Sequence, residues 1–252
     1  MPQPETTQVL YTARAESGLK GLYRLGAITA LIVLVGPLAE VLISFLPGVA
    51  GLTQQTVTAI DWFTLLQNHW FIGLRNLGLL NIVGAALLAP TFLALYFALR
   101  RDDEGFGAFG TILFFVGLAI YLASNRAFAM LSLSGQYASA TTEAQKSLLA
   151  SAGQAVLAES QTRAGIPLIE FAGLVISVVM LKGKVFSKAT AYAGILGNAL
   201  LMVVEIILGF LPRLLGAGMV VAAGGGLSIM AWYFLVGRRL LQLGAPVKNS
   251  DS

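Results

Sequence analysis

Long apolar runs separated by short polar breaks dominate the chain. A bilayer core of roughly 30 Å takes about 20 helical residues, and six runs reach that scale. The first extends from about Leu25 to Pro47 and the second from about Trp70 to Leu99. The third starts near Phe109 and ends between Ser124 and Ser134. The fourth covers Ala164 to Leu181, the fifth Thr190 to Leu211 and the sixth Leu214 to Gly237. The second and third exceed one crossing, so they tilt or project past the surface. Alternation with period two is absent, which argues against a β-barrel. The pattern predicts an all-α fold, a polytopic membrane bundle of six transmembrane helices with amphipathic outer segments. Residues 1–24 form a cytoplasmic tail or interfacial segment, 25–240 the six-helix membrane domain, and 241–252 a disordered cytoplasmic tail.

Three segments between or before the spans also show helical patterning. Leu10, Tyr11, Leu19, Leu22 and Tyr23 would line one face of a short surface helix, the alternative being a flexible tail. Ile60, Phe63, Leu65, Leu66 and Trp70 recur at helical spacing, with Trp62 and Trp70 suited to an interfacial belt. Thr142 and Gln145 form a candidate capping box. Leu148, Leu149, Ala152, Ala155 and Val156 follow on one face, predicting a helix from Thr142 to Ser160. That helix either packs on the surface or covers a groove.

Composition agrees with the pattern. The chain has 252 residues, 57% apolar and 11% charged, with a mean hydropathy of +0.80. Soluble domains average roughly 45–50% apolar and about 25% charged. Disorder, phosphate-reading nucleic-acid binding and an ordinary cytosolic enzyme are thereby excluded. The net charge of +4 matters by position, because loop charge sets membrane orientation. Arg14, Lys20, Arg24, Arg100, Arg101, Lys182, Lys184, Lys188, Arg238, Arg239 and Lys248 fall on one side. Only Arg75, Arg126, Lys146, Arg163 and Arg213 fall on the other. The positive-inside rule therefore places both termini in the cytoplasm. The polar opening residues and the long first apolar run argue against a cleavable signal peptide.

Acidic residues within spans cost about 2.5–3.5 kcal/mol each on insertion scales, so they need partners or a purpose. Glu40, Glu170 and Glu205 are the three. Seven residues separate Glu40 from Pro47 and Glu205 from Pro212, which puts both carboxylates ~10 Å below the outer end. Glu170 falls at a similar depth in the inward-running fourth span. Arg75, Asn76, Asn125 and Arg126 reach the same level if their spans end as drawn. The layer has two readings: a structural network pinning helices together, or a site for a proton, ion or small polar solute.

Other chemistry is sparse. The chain has no Cys and one His, His69, which excludes a thiolate metal site, a bis-His haem site and the usual zinc sites. No nucleophile elbow or phosphate-binding loop is present, and no cofactor is expected. His69 reads as an interfacial residue. Gly218, Ala222 and Gly226 repeat every four residues in the sixth run, as Ala189, Ala193 and Gly197 do in the fifth. Small residues at this spacing let helices approach closely, either within the monomer or across a homo-oligomer face. The lipid bilayer is the expected partner, and no nucleic acid.

Three stretches carry a resemblance. They are Tyr23-Arg24-Leu25-Gly26 leading to Ala39-Glu40, Ile120-Tyr121-Leu122-Ala123-Ser124-Asn125 through Ala129-Met130-Leu131-Ser132-Leu133-Ser134, and Gln136 through Gln145. They resemble a family of bacterial multi-pass membrane proteins catalogued as a domain of unknown function. The resemblance implies six spans in an integral membrane domain and transfers no catalytic residue. The resulting expectation is a non-enzymatic membrane protein of structural, accessory or sensing kind. Its rivals are a small-solute or proton-coupled transporter using the glutamate layer and, more weakly, a lipid-handling enzyme at the outer leaflet.

Overall fold

The computed structural model describes residues 4–44, 58–159 and 165–246. Eleven α-helices occur among them, and no strand. In chain order they are α1 (Pro4–Ser44), α2 (Ala59–Asn68), α3 (Trp70–Asn76), α4 (Leu79–Leu87) and α5 (Ala89–Leu99). There follow α6 (Glu104–Ala123), α7 (Ala127–Ser139), α8 (Glu143–Glu159), α9 (Ile166–Lys182), α10 (Lys188–Phe210) and α11 (Leu215–Gly244). Five stretches are long and apolar enough to cross a membrane: Ser17–Pro37, Leu79–Leu99, Glu104–Ser139, Lys188–Phe210 and Gly218–Gly244. The expected fourth span corresponds to α9, which has 17 residues.

Several boundaries differ from the sequence expectation. No separate surface helix precedes the first span, because α1 continues unbroken from Pro4 through Ser44. Residues such as Glu5, Ala15, Leu19 and Lys20 favour helix, and nothing there stops it. The expected end at Pro47 lies outside the described residues, as do Ser160, Ala164 and the last six residues.

The second run is not one helix. Gly78 adopts φ +90° and its N–H donates to the Arg75 carbonyl at 2.9 Å, ending α3. A side chain is strongly disfavoured in that conformation. Trp70–Asn76 is therefore split from the apolar stretch Leu79–Leu99. The third run breaks as well. After Ala123 a turn intervenes, and Asn125 Oδ1 accepts the Ala127 backbone N–H at 2.8 Å, starting α7 afresh. Such a local side-chain bond competes with continuing the helix.

The chain divides into two compact units. One comprises Met1–Leu34, Leu87–Val116 and Leu168–Ser252. Within it α10 and α11 form a hairpin through the 3₁₀ turn Pro212–Leu214. Glycine makes their approach close: a Cβ on Gly197 would stand 2.8 Å from the Ile229 nitrogen. Phe92 of α5 stacks on Phe114 of α6 with centroids 3.9 Å apart. Thr29 of α1 and Thr91 of α5 lie 3.0 Å apart at their hydroxyls, and Thr91 donates to the Gly26 carbonyl at 2.9 Å. Every polar group in that contact is satisfied, as a buried apolar setting requires.

The other unit comprises Val35–Ala86 and Gly117–Pro167. Ala59, Phe63, Leu66, Leu74, Leu77, Ala127, Met130 and Leu157 form its core, drawn from α2, α3, α7 and α8. Ser134 Oγ donates to the Phe63 carbonyl at 3.0 Å, and Gln67 Nε2 donates to the Ser134 carbonyl at 3.1 Å. Gln154 Oε1 accepts the Ala59 N–H at 3.2 Å, satisfying a donor that the start of α2 leaves open. The expected apolar face of α8 is rotated. Leu148 is 71% exposed, whereas Gly153 and Leu157 face the core, Gly153 against Phe63.

Candidate functional site

The seven residues singled out for depth divide between the two units. Glu40 falls in α1, and its side chain lies outside the described residues. Arg75 is buried in α3, where its Nη1 donates to Asn76 Oδ1 at 3.1 Å. Both lie before the Gly78 break, so neither is part of the apolar stretch Leu79–Leu99. Asn125 Oδ1 accepts the first backbone N–H of α7, and Arg126, half-buried beside it, is the helix's N-cap residue. Glu170 and Glu205 belong to the first unit. Glu170 is buried in α9, and Glu205 is half-buried in α10.

Glu170 has a polar neighbourhood that charges alone did not disclose. One turn on, Gly173 packs directly on the Asn198 side chain. Asn198 Nδ2 donates to the Gly194 carbonyl at 2.7 Å, and Ser177 Oγ to the Gly173 carbonyl at 2.7 Å. Tyr233 of α11 interacts electrostatically with Glu170. Ser177 and Asn198 thus return their hydrogen bonds to their own helices, as hydroxyls and amides do in apolar surroundings. Trp232 Nε1, fully buried against Gly194, finds no acceptor among the described residues. The signal for this seam was present as Ser177 and Asn198 inside apolar runs, each near a glycine.

In the second unit, α7 and α8 bound a cavity of about 350 Å³ lined by Gln136, Ser139, Ala140, Gln145, Leu148 and Leu149. Gln145 holds its rim together. Its backbone N–H donates to Thr142 Oγ1, and its Oε1 accepts from the Thr141 N–H, each at 3.2 Å. The reciprocal bond goes to Thr141 and not to Thr142, the residue a strict capping box would use. Amides, a hydroxyl and an exposed leucine suit a weak amphipathic contact. They supply no nucleophile with a base beside it.

At the α5–α6 turn, Asp103 Oδ2 accepts from Lys182 Nζ at 2.7 Å and Asp103 Oδ1 from the Phe106 N–H at 3.1 Å. Lys182, followed by the Phe106 amide, holds the Asp103 carboxyl below its ordinary value. Lys182 also lies over the Phe106 ring, 5.0 Å from its centroid. His69 is exposed between α2 and α3. Among the described residues no group of three His, Cys, Asp or Glu side chains is placed to hold a metal.

An all-α fold with five apolar helical stretches long enough to cross a membrane is, among the described residues, the pattern of a helical, multi-pass membrane protein. Comparison with protein-family models, curated proteins and solved structures finds no match to the chain.

Proposed function

We propose that the chain is a six-span protein of the plasma membrane with both termini cytoplasmic. Its role is structural, accessory or sensing, not enzymatic, and is exerted through the second helical unit. The observation that carries this reading is the second unit, whose α2, α3, α7 and α8 enclose a core of their own. Segments that merely linked spans would have no need of one. Parity supports the sixth crossing. Five spans would put Arg14, Lys20 and Arg24 on the opposite side from Arg238 and Arg239, against the positive-inside rule. Counting α9, at the short end of the spanning range, restores all of them to one side. The family resemblance noted above is a further part of this proposal.

A second reading has one observation in its favour. Glu170, buried one turn from the Gly173–Asn198 contact, fits a proton-coupled or small-solute transporter.

Two measurements decide. The chain has no cysteine, so Ser151→Cys and Ala245→Cys report topology without background. A membrane-impermeant maleimide should label the first in intact cells and the second only after permeabilisation; the reverse pattern would overturn the orientation. Reconstituted in liposomes carrying a pH-sensitive dye, the protein should pass protons no faster than empty liposomes. Flux that Glu170→Gln abolishes would establish the transporter instead.

A further inference from the structure

We propose that a basic pocket at the α9–α10 turn binds the phosphate group of an anionic phospholipid. Residues of the turn 183–187 and the start of α10 form one wall, and the last turns of α11 form the other. Between them lie about 360 Å³. Lys184, Arg238 and Arg239 line this space, and Ser187, Thr190 and Gln242 add hydroxyl and amide groups. Its lining holds no carboxylate. Of the nearby acids, Asp103 is paired with Lys182 and Asp102 packs against Gly183.

The pocket is built, not merely a run of surface charge. Arg239 Nε donates to the Val185 carbonyl at 2.6 Å, and its Nη1 to Gln242 Oε1 at 3.0 Å. Arg239 thereby ties the turn to α11 and fixes the cavity's shape. Ser187 Oγ accepts the Thr190 N–H at 3.1 Å and caps α10, whose positive dipole end adds to the field. Lys184 and Arg238 are exposed and enter no hydrogen bond or ion pair with another described residue. Cations of this kind, with hydroxyl donors beside them, bind phosphate by charge-assisted hydrogen bonds.

A lipid fits better than a soluble phosphate compound because the same space has an apolar side. Phe186 and Leu235 line it together with the cations, and α10 and α11 are apolar along most of their length. A headgroup phosphate on Lys184 and Arg238 would leave its acyl chains along those helices. Basic pockets between spans at the cytoplasmic end are suited to anionic headgroups. The charge distribution assigns this end of the helices to the cytoplasm.

This inference rests on the membrane reading and draws on the proposed orientation, but not on the role of the second unit, and binding in detergent is measured without reference to sidedness. A thermal unfolding series therefore fails separately from the labelling and flux measurements. The protein in neutral detergent would be titrated with dioleoylphosphatidylglycerol, dioleoylphosphatidylcholine or inorganic phosphate. The glycerol lipid should raise the midpoint, the choline lipid and phosphate much less. Lys184→Gln with Arg238→Gln should weaken that response by about tenfold or more, while Lys184→Arg with Arg238→Lys keeps it. Both positions are exposed, so folding survives the change. Arg100→Gln with Arg101→Gln removes two exposed cations elsewhere and should leave the response intact. Equal protection by the choline lipid, equal loss in the Arg100 and Arg101 variant, or protection by phosphate alone would overturn the proposal.

Discussion

At the scale of single residues, packing inside the first unit depends on atoms that are absent. A Cβ on Gly194 would collide with Ser177 Oγ and stand 2.5 Å from Trp232 Nε1, and one on Gly197 would meet the Ile229 backbone. Gly197→Ala should cost about 1–3 kcal/mol, because backbone cannot rotate away as a side chain can. Gly226→Ala meets no atom within 4 Å and should be neutral or slightly stabilising through helix propensity. Detergent unfolding midpoints of the two variants check this. The small-residue spacing was legible in the sequence for Gly218 and Gly197, which do face neighbours. Gly226, at the same spacing, meets no atom within 4 Å. Spacing marks a face of a helix, but not which of several neighbours covers it.

Asp103 carries a pH dependence of known sign. Its folded-state value lies below the ordinary 3.8, so the folded chain holds the proton less tightly than the unfolded one. The stabilisation is complete above the ordinary value and lost as pH falls through the lowered one. The gap in midpoint between the parent and Asp103→Asn should hold steady above about pH 5 and close below about pH 4. A gap unchanged at acid pH would separate the effect from the Lys182 pair.

At the scale of elements, the existence of helices was legible and their interruptions were not. Hydropathy is nearly blind to the break after α3, because Leu77-Gly78-Leu79 is as apolar as a span interior. Only the φ of +90° at Gly78 reveals it. Gly78→Ala should therefore cost about 1–2 kcal/mol in strain, measured by chemical denaturation against Gly84→Ala, a helical glycine with open surroundings. A smaller loss at Gly78 than at Gly84 would mean that the turn tolerates a side chain. The same blindness shaped the expected polar layer. The expected level of Arg75 and Asn76 assumes a second span beginning near Trp70, and that of Asn125 and Arg126 a third span continuing to Ser134. Each placement takes as one span a run that the structure breaks, at Gly78 in the second and at residues 124–126 in the third. Glu170 and Glu205 did fall in apolar helices, since no glycine turn or side-chain cap interrupts α9 or α10 near them.

At the scale of the molecule, the second unit was the part least visible beforehand. Two of its pieces were legible as helical segments, α2 from Phe63, Leu65 and Leu66 and α8 from its start at Thr142, whereas α3 and α7 were hidden in the second and third apolar runs. What one sequence could not supply was their association. Phe63 is wholly buried, packs against Tyr137 at 5.2 Å between centroids, and receives Gly153 on its ring. Gly153 looks like a weak point in α8 when read alone, yet it is where α8 seats on α2. Phe63→Ala should cost about 3–5 kcal/mol through the cavity left behind. Because Phe63, Met130 and Leu157 share one core, that loss should open α2, α7 and α8 together. With the proposed orientation, external protease acting on spheroplasts of an expressing host should then cut within 127–159 much faster than in the parent. Gly197→Ala, whose contact lies between α10 and α11, should leave that cleavage rate unchanged. If the two variants instead became protease-sensitive together, the helices of the second unit would have no stability of their own, and a role for them as an independent working unit would fall.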